Sequence, residues 1–165
     1  MMFRAWVLLV ALAIAGTVEM PSGDPLETHD GDLAAGKEID LAWAAQSNVA
    51  CFPGPNFKYF NGNHQFYTFA QHANHDLYIR ATPEAGVDLS VYVLQNAKPD
   101  GAQPPNIDLA WRCSKAWKDN PGEPETLKVD GYKGNFNVLI GVTAPNAAKT
   151  GKYKLELWEK PGRQW

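Results

Sequence analysis

Apolar residues that recur at every second position constrain this chain most. In Val87-Asp88-Leu89-Ser90-Val91-Tyr92-Val93-Leu94 the residues Val87, Leu89, Val91 and Val93 share one face. The same spacing links Leu77, Ile79 and Ala81, then Phe136, Val138, Ile140 and Val142, then Tyr153, Leu155 and Leu157. Side chains of an extended strand point to opposite faces in turn, so a period of two marks a half-buried strand. The aromatic, β-prone run 65–70 and the short run 126–129 are read as strands too. Two further alternating sets extend the count. Lys37, Ile39, Leu41 and Trp43 predict a first strand, and Ile107, Leu109, Trp111 and Cys113 predict one that carries Trp111 into the core. Stretches rich in Pro, Gly and Asn separate the strands at 82–86, 96–106, 115–125 and 143–151. The Ala-rich stretch 41–50 is too short and uncapped to predict a helix. Seven or eight strands without an amphipathic helix predict an all-β fold: an antiparallel β-sandwich, jelly-roll-like.

The material for a core is present. Of 165 residues 45% are hydrophobic, with six Trp, six Tyr and seven Phe, which excludes a disordered chain. The length suits one domain. A formal net charge of −3 argues against a nucleic-acid partner.

The first 16 residues read as a secretory signal peptide. Arg4 precedes a run of about a dozen apolar residues ending in small ones, shorter than the roughly 20 a membrane-spanning helix needs. Cleavage is expected after Ala13, Ala15 or Gly16, and the mature chain is expected to be secreted or periplasmic, free of the membrane. Residues 17–35, acidic and rich in Gly and Pro, are expected to be a flexible lead-in. The sandwich is expected over 36–159 and a short tail over 160–165. The two cysteines, Cys51 and Cys113, lie in the exported part. In an oxidising compartment they read as one disulfide, the alternative being two buried thiols. The bridge would restrain the unfolded chain by about 4 kcal/mol.

The order of motifs resembles the bacterial pre-peptidase C-terminal domains. The segments that carry it are Phe66-Tyr67-Thr68-Phe69, Asp76-Leu77-Tyr78-Ile79, Gly86 to Leu94, Phe136 to Val142, and Thr150-Gly151-Lys152-Tyr153-Lys154-Leu155-Glu156-Leu157. The resemblance spans residues 36–159. It implies a jelly-roll-like sandwich in a secreted protein, non-catalytic, accompanying extracellular hydrolases. Some members bind collagen or polysaccharide, and some bind calcium. The aromatic loop after Cys51, and Cys113 itself, lie outside the pattern.

Catalytic chemistry finds little support in the motifs. There is no GxSxG elbow and no HExxH. Ser47, Ser90 and Ser114 stand at no spacing that favours a triad with His64, His72 or His75. Asp88 and the pair Asp30 and Asp32 could offer oxygens to calcium, but no dense acidic loop is present, so no cofactor is expected. His72 and His75 flank a turn, where imidazoles can meet at a metal, although exposed loop histidines are the plainer reading. The strongest binding feature is aromatic. Phe52, Phe57, Tyr59 and Phe60 sit in a loop of Pro, Gly and Asn, and Trp111 and Trp117 form a second cluster with Arg112, Lys115 and Lys118, Trp111 being the one that alternates like a core residue. A Cys51–Cys113 bridge would join the two clusters. Phe52, Tyr59, Trp117 and Lys115 are therefore the expected ligand surface, for a polysaccharide or an extracellular protein. The alternatives are an envelope-assembly protein acting through a sheet edge and a small secreted hydrolase.

Overall fold

The computed structural model describes residues 18–46, 50–52 and 54–164. The leader expected over residues 1–16 lies outside them. Among the described residues eight strands form: β1 (Glu27–Asp32), β2 (Gln65–Gln71), β3 (His75–Pro83), β4 (Ser90–Gln95), β5 (Arg112–Trp117), β6 (Glu125–Val129), β7 (Phe136–Thr143) and β8 (Lys152–Pro161). They make two antiparallel sheets, ordered β1-β8-β3-β6 and β2-β7-β4-β5. The pairs β1·β8, β2·β7, β3·β6 and β4·β5 are nested: each strand of the first half meets its mirror position in the second half. One long antiparallel hairpin rolled into two sheets gives this order, which is the jelly roll.

The inter-sheet core follows the period-two pattern. Leu77, Ile79 and Ala81 of β3 and Leu155 and Leu157 of β8 face Val91 and Val93 of β4 and Val138, Ile140 and Val142 of β7. The opposite parity of β4 and β7 faces outward, yet it is buried as well. Tyr92, Leu94 and Leu139 join Leu41, Trp43, Ala44, Phe52, Phe60, Ala97 and Ile107 in a second core. The β1–β2 connection, residues 33–64, thus covers the outer face of the second sheet, which leaves every residue of β4 buried. Its aromatic rings pack at fixed angles. Phe52 stacks on Phe60 at 4.5 Å and meets Trp43 edge-on at 5.9 Å and Tyr92 at 4.9 Å. Such pairs add about 0.5–1.5 kcal/mol each to the burial of their area. Cys51 and Cys113 are bonded, so the cover is tied to β5, the edge strand of the sheet it protects.

Glycine is used where rings need room. Gly141 lies directly across from Tyr92 in the β4·β7 ladder, and a Cβ there would stand 2.4 Å from the ring. Gly31 makes the same allowance for Tyr153 across the β1·β8 ladder.

Three expectations are corrected. The stretch 17–35 is not a flexible lead-in throughout: 27–32 pair with β8, and Leu33 is buried in the inter-sheet core. Residues 37–43 do not form a strand. Lys37 makes one bridge with His64, and a short helix, α1 (Ala42–Gln46), follows. The alternation of Ile39, Leu41 and Trp43 serves a cover that buries one side without a neighbouring strand. Residues 107–111 are also not strand. Ile107 enters the second core, while Leu109 and Trp111 are exposed, because the chain loops out after Ala97, makes only an isolated bridge between Lys98 and Leu109, and starts its ladder with β4 at Arg112.

Candidate functional site

β5 sets three of the expected site residues in a row. Cys113, Lys115 and Trp117 lie on the same side of the strand, opposite Leu94, Tyr92 and Ser90 of β4. Trp117 stacks flat on Tyr59, with ring centroids 3.8 Å apart and an interplanar angle of 16°. Tyr59 closes the 3₁₀ turn Gly54–Tyr59 of the cover, and Lys58 places its ammonium 4.8 Å from the Tyr59 centroid. Lys115, two residues before Trp117 on the same side of β5, is half-buried, and that burial lowers its pKa. The structure therefore brings Tyr59 and Trp117 together, with Lys115 farther along the same strand face. Each of the two rings spends a face on the other, so this cluster fastens the cover to the edge strand alongside the disulfide.

Phe52 is a correction. It is 0% exposed, enclosed by Trp43, Phe60 and Tyr92, and offers no surface to a ligand. An apolar side chain in a Pro-Gly-Asn loop next to a disulfide has the sequence context of a ring presented outward. It is instead the centre of the second core.

A different aromatic cluster faces solvent. Trp111, expected in the core, is 51% exposed. Its amide donates to Gln95 O at 2.9 Å, just before β5 begins. The indole stacks on Phe136 at 4.8 Å and 29°, and meets Tyr132 at 4.5 Å and 61°. Arg112 lays its guanidinium 5.1 Å from the Tyr132 centroid, donates to the Tyr132 hydroxyl, and pairs with Asp130 at 3.6 Å. The β4–β5 and β6–β7 loops, together with the start of β7, thus build a buttressed platform at one end of the sandwich. Sequence reasoning groups Trp111 with Trp117 and Arg112 but assigns its ring to the core, and it misses Tyr132 and Phe136 as its neighbours. The available signal was Tyr132 within Gly131-Tyr132-Lys133-Gly134-Asn135, an aromatic residue in a turn too polar and glycine-rich to be core.

The titratable groups divide by burial. His64 is buried between Phe66 and Tyr92, its Nδ1 3.0 Å from Gly62 O, and burial lowers its pKa to about 4, so the ring is neutral at pH 7. Glu125, 2% exposed, has its pKa raised to about 7, chiefly by burial, with Lys118 opposing and Asp88 adding to the shift. Asp88 is raised by its own burial and by Asp119. Ser90 is buried in β4, and Ser47 lies outside the described residues. Among the described residues no group of three or more His, Cys, Asp or Glu is placed to hold a metal ion.

No family model matches the chain, and no curated protein matches it. Among solved structures, the crystal structure of the Yersinia pseudotuberculosis-derived mitogen is similar over 62% of this chain and 91% of its own, at 13% identity and a TM-score of 0.29. At that identity and score the likeness bears on neither fold nor function.

Proposed function

We propose that this protein is an exported, non-catalytic binding module that takes a polysaccharide chain on the Trp111 platform. The observation that carries this reading is the exposed indole of Trp111, held in place by stacking on Phe136 and by Tyr132. A flat ring suits the apolar face of a sugar, and a ring already fixed by its neighbours loses little freedom when a ligand arrives. Arg112 and Asp130 at its margin offer a donor and an acceptor for sugar hydroxyls. The resemblance to pre-peptidase C-terminal domains supports the same reading and adds an accessory role beside secreted hydrolases. Export is supported by the leader pattern and by the Cys51–Cys113 bridge, a bond that persists in oxidising compartments. No helix among the described residues is long and apolar enough to cross a membrane.

The test is a panel of soluble polysaccharides examined by affinity electrophoresis and isothermal titration calorimetry, with Trp111→Ala, Phe136→Ala and the Tyr59→Ala/Trp117→Ala pair. Binding abolished by Trp111→Ala, weakened by Phe136→Ala and retained by the Tyr59/Trp117 pair is the expected result. Retention by Trp111→Ala, or the absence of any polysaccharide ligand, would overturn the proposal. A protein ligand lost with Trp111 would keep the platform but reject the polysaccharide.

A further inference from the structure

The β2–β3 turn carries a feature that the aromatic platform does not use. His72 and His75 are the first and fourth residues of a tight turn: the His75 amide donates to His72 O at 3.2 Å, and Asn74 between them has φ 57°. The ends of such a turn lie within about 7 Å at Cα, and here the two imidazole centroids are 6.1 Å apart. Both rings are anchored through Nδ1. His75 Nδ1 is 2.8 Å from Ala73 O. A carbonyl only accepts, so Nδ1 carries the hydrogen and Nε2 keeps its lone pair. His72 Nδ1 is 2.7 Å from Glu159 Oε2, while the other carboxylate oxygen accepts from the His72 amide at 2.6 Å. The Glu159 side chain is 6% exposed, whereas that of His72 is 69% exposed. A carboxylate held in this way fixes the tautomer and orientation of a metal-binding histidine.

We propose that His72 and His75 form a two-imidazole site for a divalent transition ion of the Zn²⁺ and Cu²⁺ class, with Glu159 as the positioning residue. Imidazole nitrogen suits these ions, whereas calcium and magnesium take oxygen ligands. The protein supplies two ligands and solvent completes the coordination sphere, which leaves positions open. The Asn74 amide donates to Tyr132 O at 2.6 Å, so the site lies next to the loop that carries Tyr132. It stands independently of the polysaccharide reading.

Untagged protein, freed of metal with a chelator, is titrated with ZnCl₂ and separately with CuCl₂ by isothermal titration calorimetry. One equivalent is expected to bind. His72→Ala and His75→Ala should each weaken binding at least tenfold, and His29→Ala should leave it unchanged. Glu159→Gln should weaken binding by about 10- to 100-fold, the usual cost of losing such a partner. Melting temperatures are recorded alongside, so that a loss of fold is told apart from a loss of site. Should Glu159→Gln melt early, His72→Gln at the exposed position carries the same test. Failure of both ions to bind the unmodified protein, or binding that survives in the His72→Ala/His75→Ala double variant, would overturn the proposal.

Discussion

Replacing Glu125 by Gln tests the electrostatics of this fold most directly. Glu125 opens β6, is 2% exposed, and its Oε2 has no hydrogen-bond partner. Burial raises its pKa from the ordinary 4.5 to about 7. A carboxyl whose pKa is raised in the folded state favours folding while it is protonated and opposes folding once it is ionised. The penalty therefore grows as pH rises from about 4.5 and is complete above about 7. At 1.36 kcal/mol per pH unit it reaches about 3 kcal/mol, of which about 2.5 kcal/mol develops between pH 5 and pH 8. Asp88, also raised by burial, adds a smaller slope of the same sign. Urea unfolding at pH 5 and pH 8 reads the effect. The unmodified protein should lose stability across that interval. Glu125→Gln should lose about 2.5 kcal/mol less and be the more stable form at pH 8. Equal slopes for the two proteins would refute the reasoning, because Glu125 would then ionise in the folded state at no cost.

Other perturbations read the packing. Gly141→Ala should destabilise by about 1–3 kcal/mol in urea, because its Cβ would meet the buried Tyr92 ring at 2.4 Å. Phe52→Ala should cost about 3–5 kcal/mol by opening the second core, and should leave any polysaccharide affinity that survives folding unchanged. The Cys51→Ala/Cys113→Ala pair should lose about 4 kcal/mol by thermal unfolding, the constraint expected of a bridge between residues 62 apart. Trp117→Ala should increase protease cleavage within residues 50–60, since its ring holds Tyr59 of the cover at 3.8 Å.

The inter-sheet core was legible because strand geometry and burial impose the same period. Val91 and Val93, then Val138, Ile140 and Val142, and Leu155 with Leu157 all stand where alternation puts them. The second core was not legible. Its cover, packed on Tyr92, Leu94 and Leu139 of the sheet, comes from connections, where burial follows no period, so Leu41 and Trp43 imitate a strand and Phe52 imitates a binding loop. Leu109 and Trp111 show the converse error. They keep the spacing of a strand but belong to a loop, and only the ladder that starts at Arg112 reveals the break. β1 was hidden for another reason: Glu27-Thr28-His29-Asp30-Gly31-Asp32 is polar because it is an edge strand, half-exposed, paired on one side to β8. At the site, the sequence found the bridge that joins the segments of Tyr59 and Trp117. It could not tell which rings would spend their faces on each other.

The nested pairing also sets an order of assembly. β4 and β5 are consecutive strands that pair across the loop 96–111, but β1 must wait for β8, since Glu27 pairs with Leu157. Closing contacts so far apart in the chain is entropically slow, and strand edges stay open until it happens. A chain that emerges in pieces cannot finish either sheet. β7 lies between β2 and β4, and β8 lies between β1 and β3, so the last two strands to appear are the middle strands of both layers. A chain ending before Lys152 should therefore remain protease-sensitive along β1 and β3, while one ending after Pro161 should become resistant all at once. Completion of this fold is a single late event, in which β7 and β8, one in each sheet, slide in between strands that came before them.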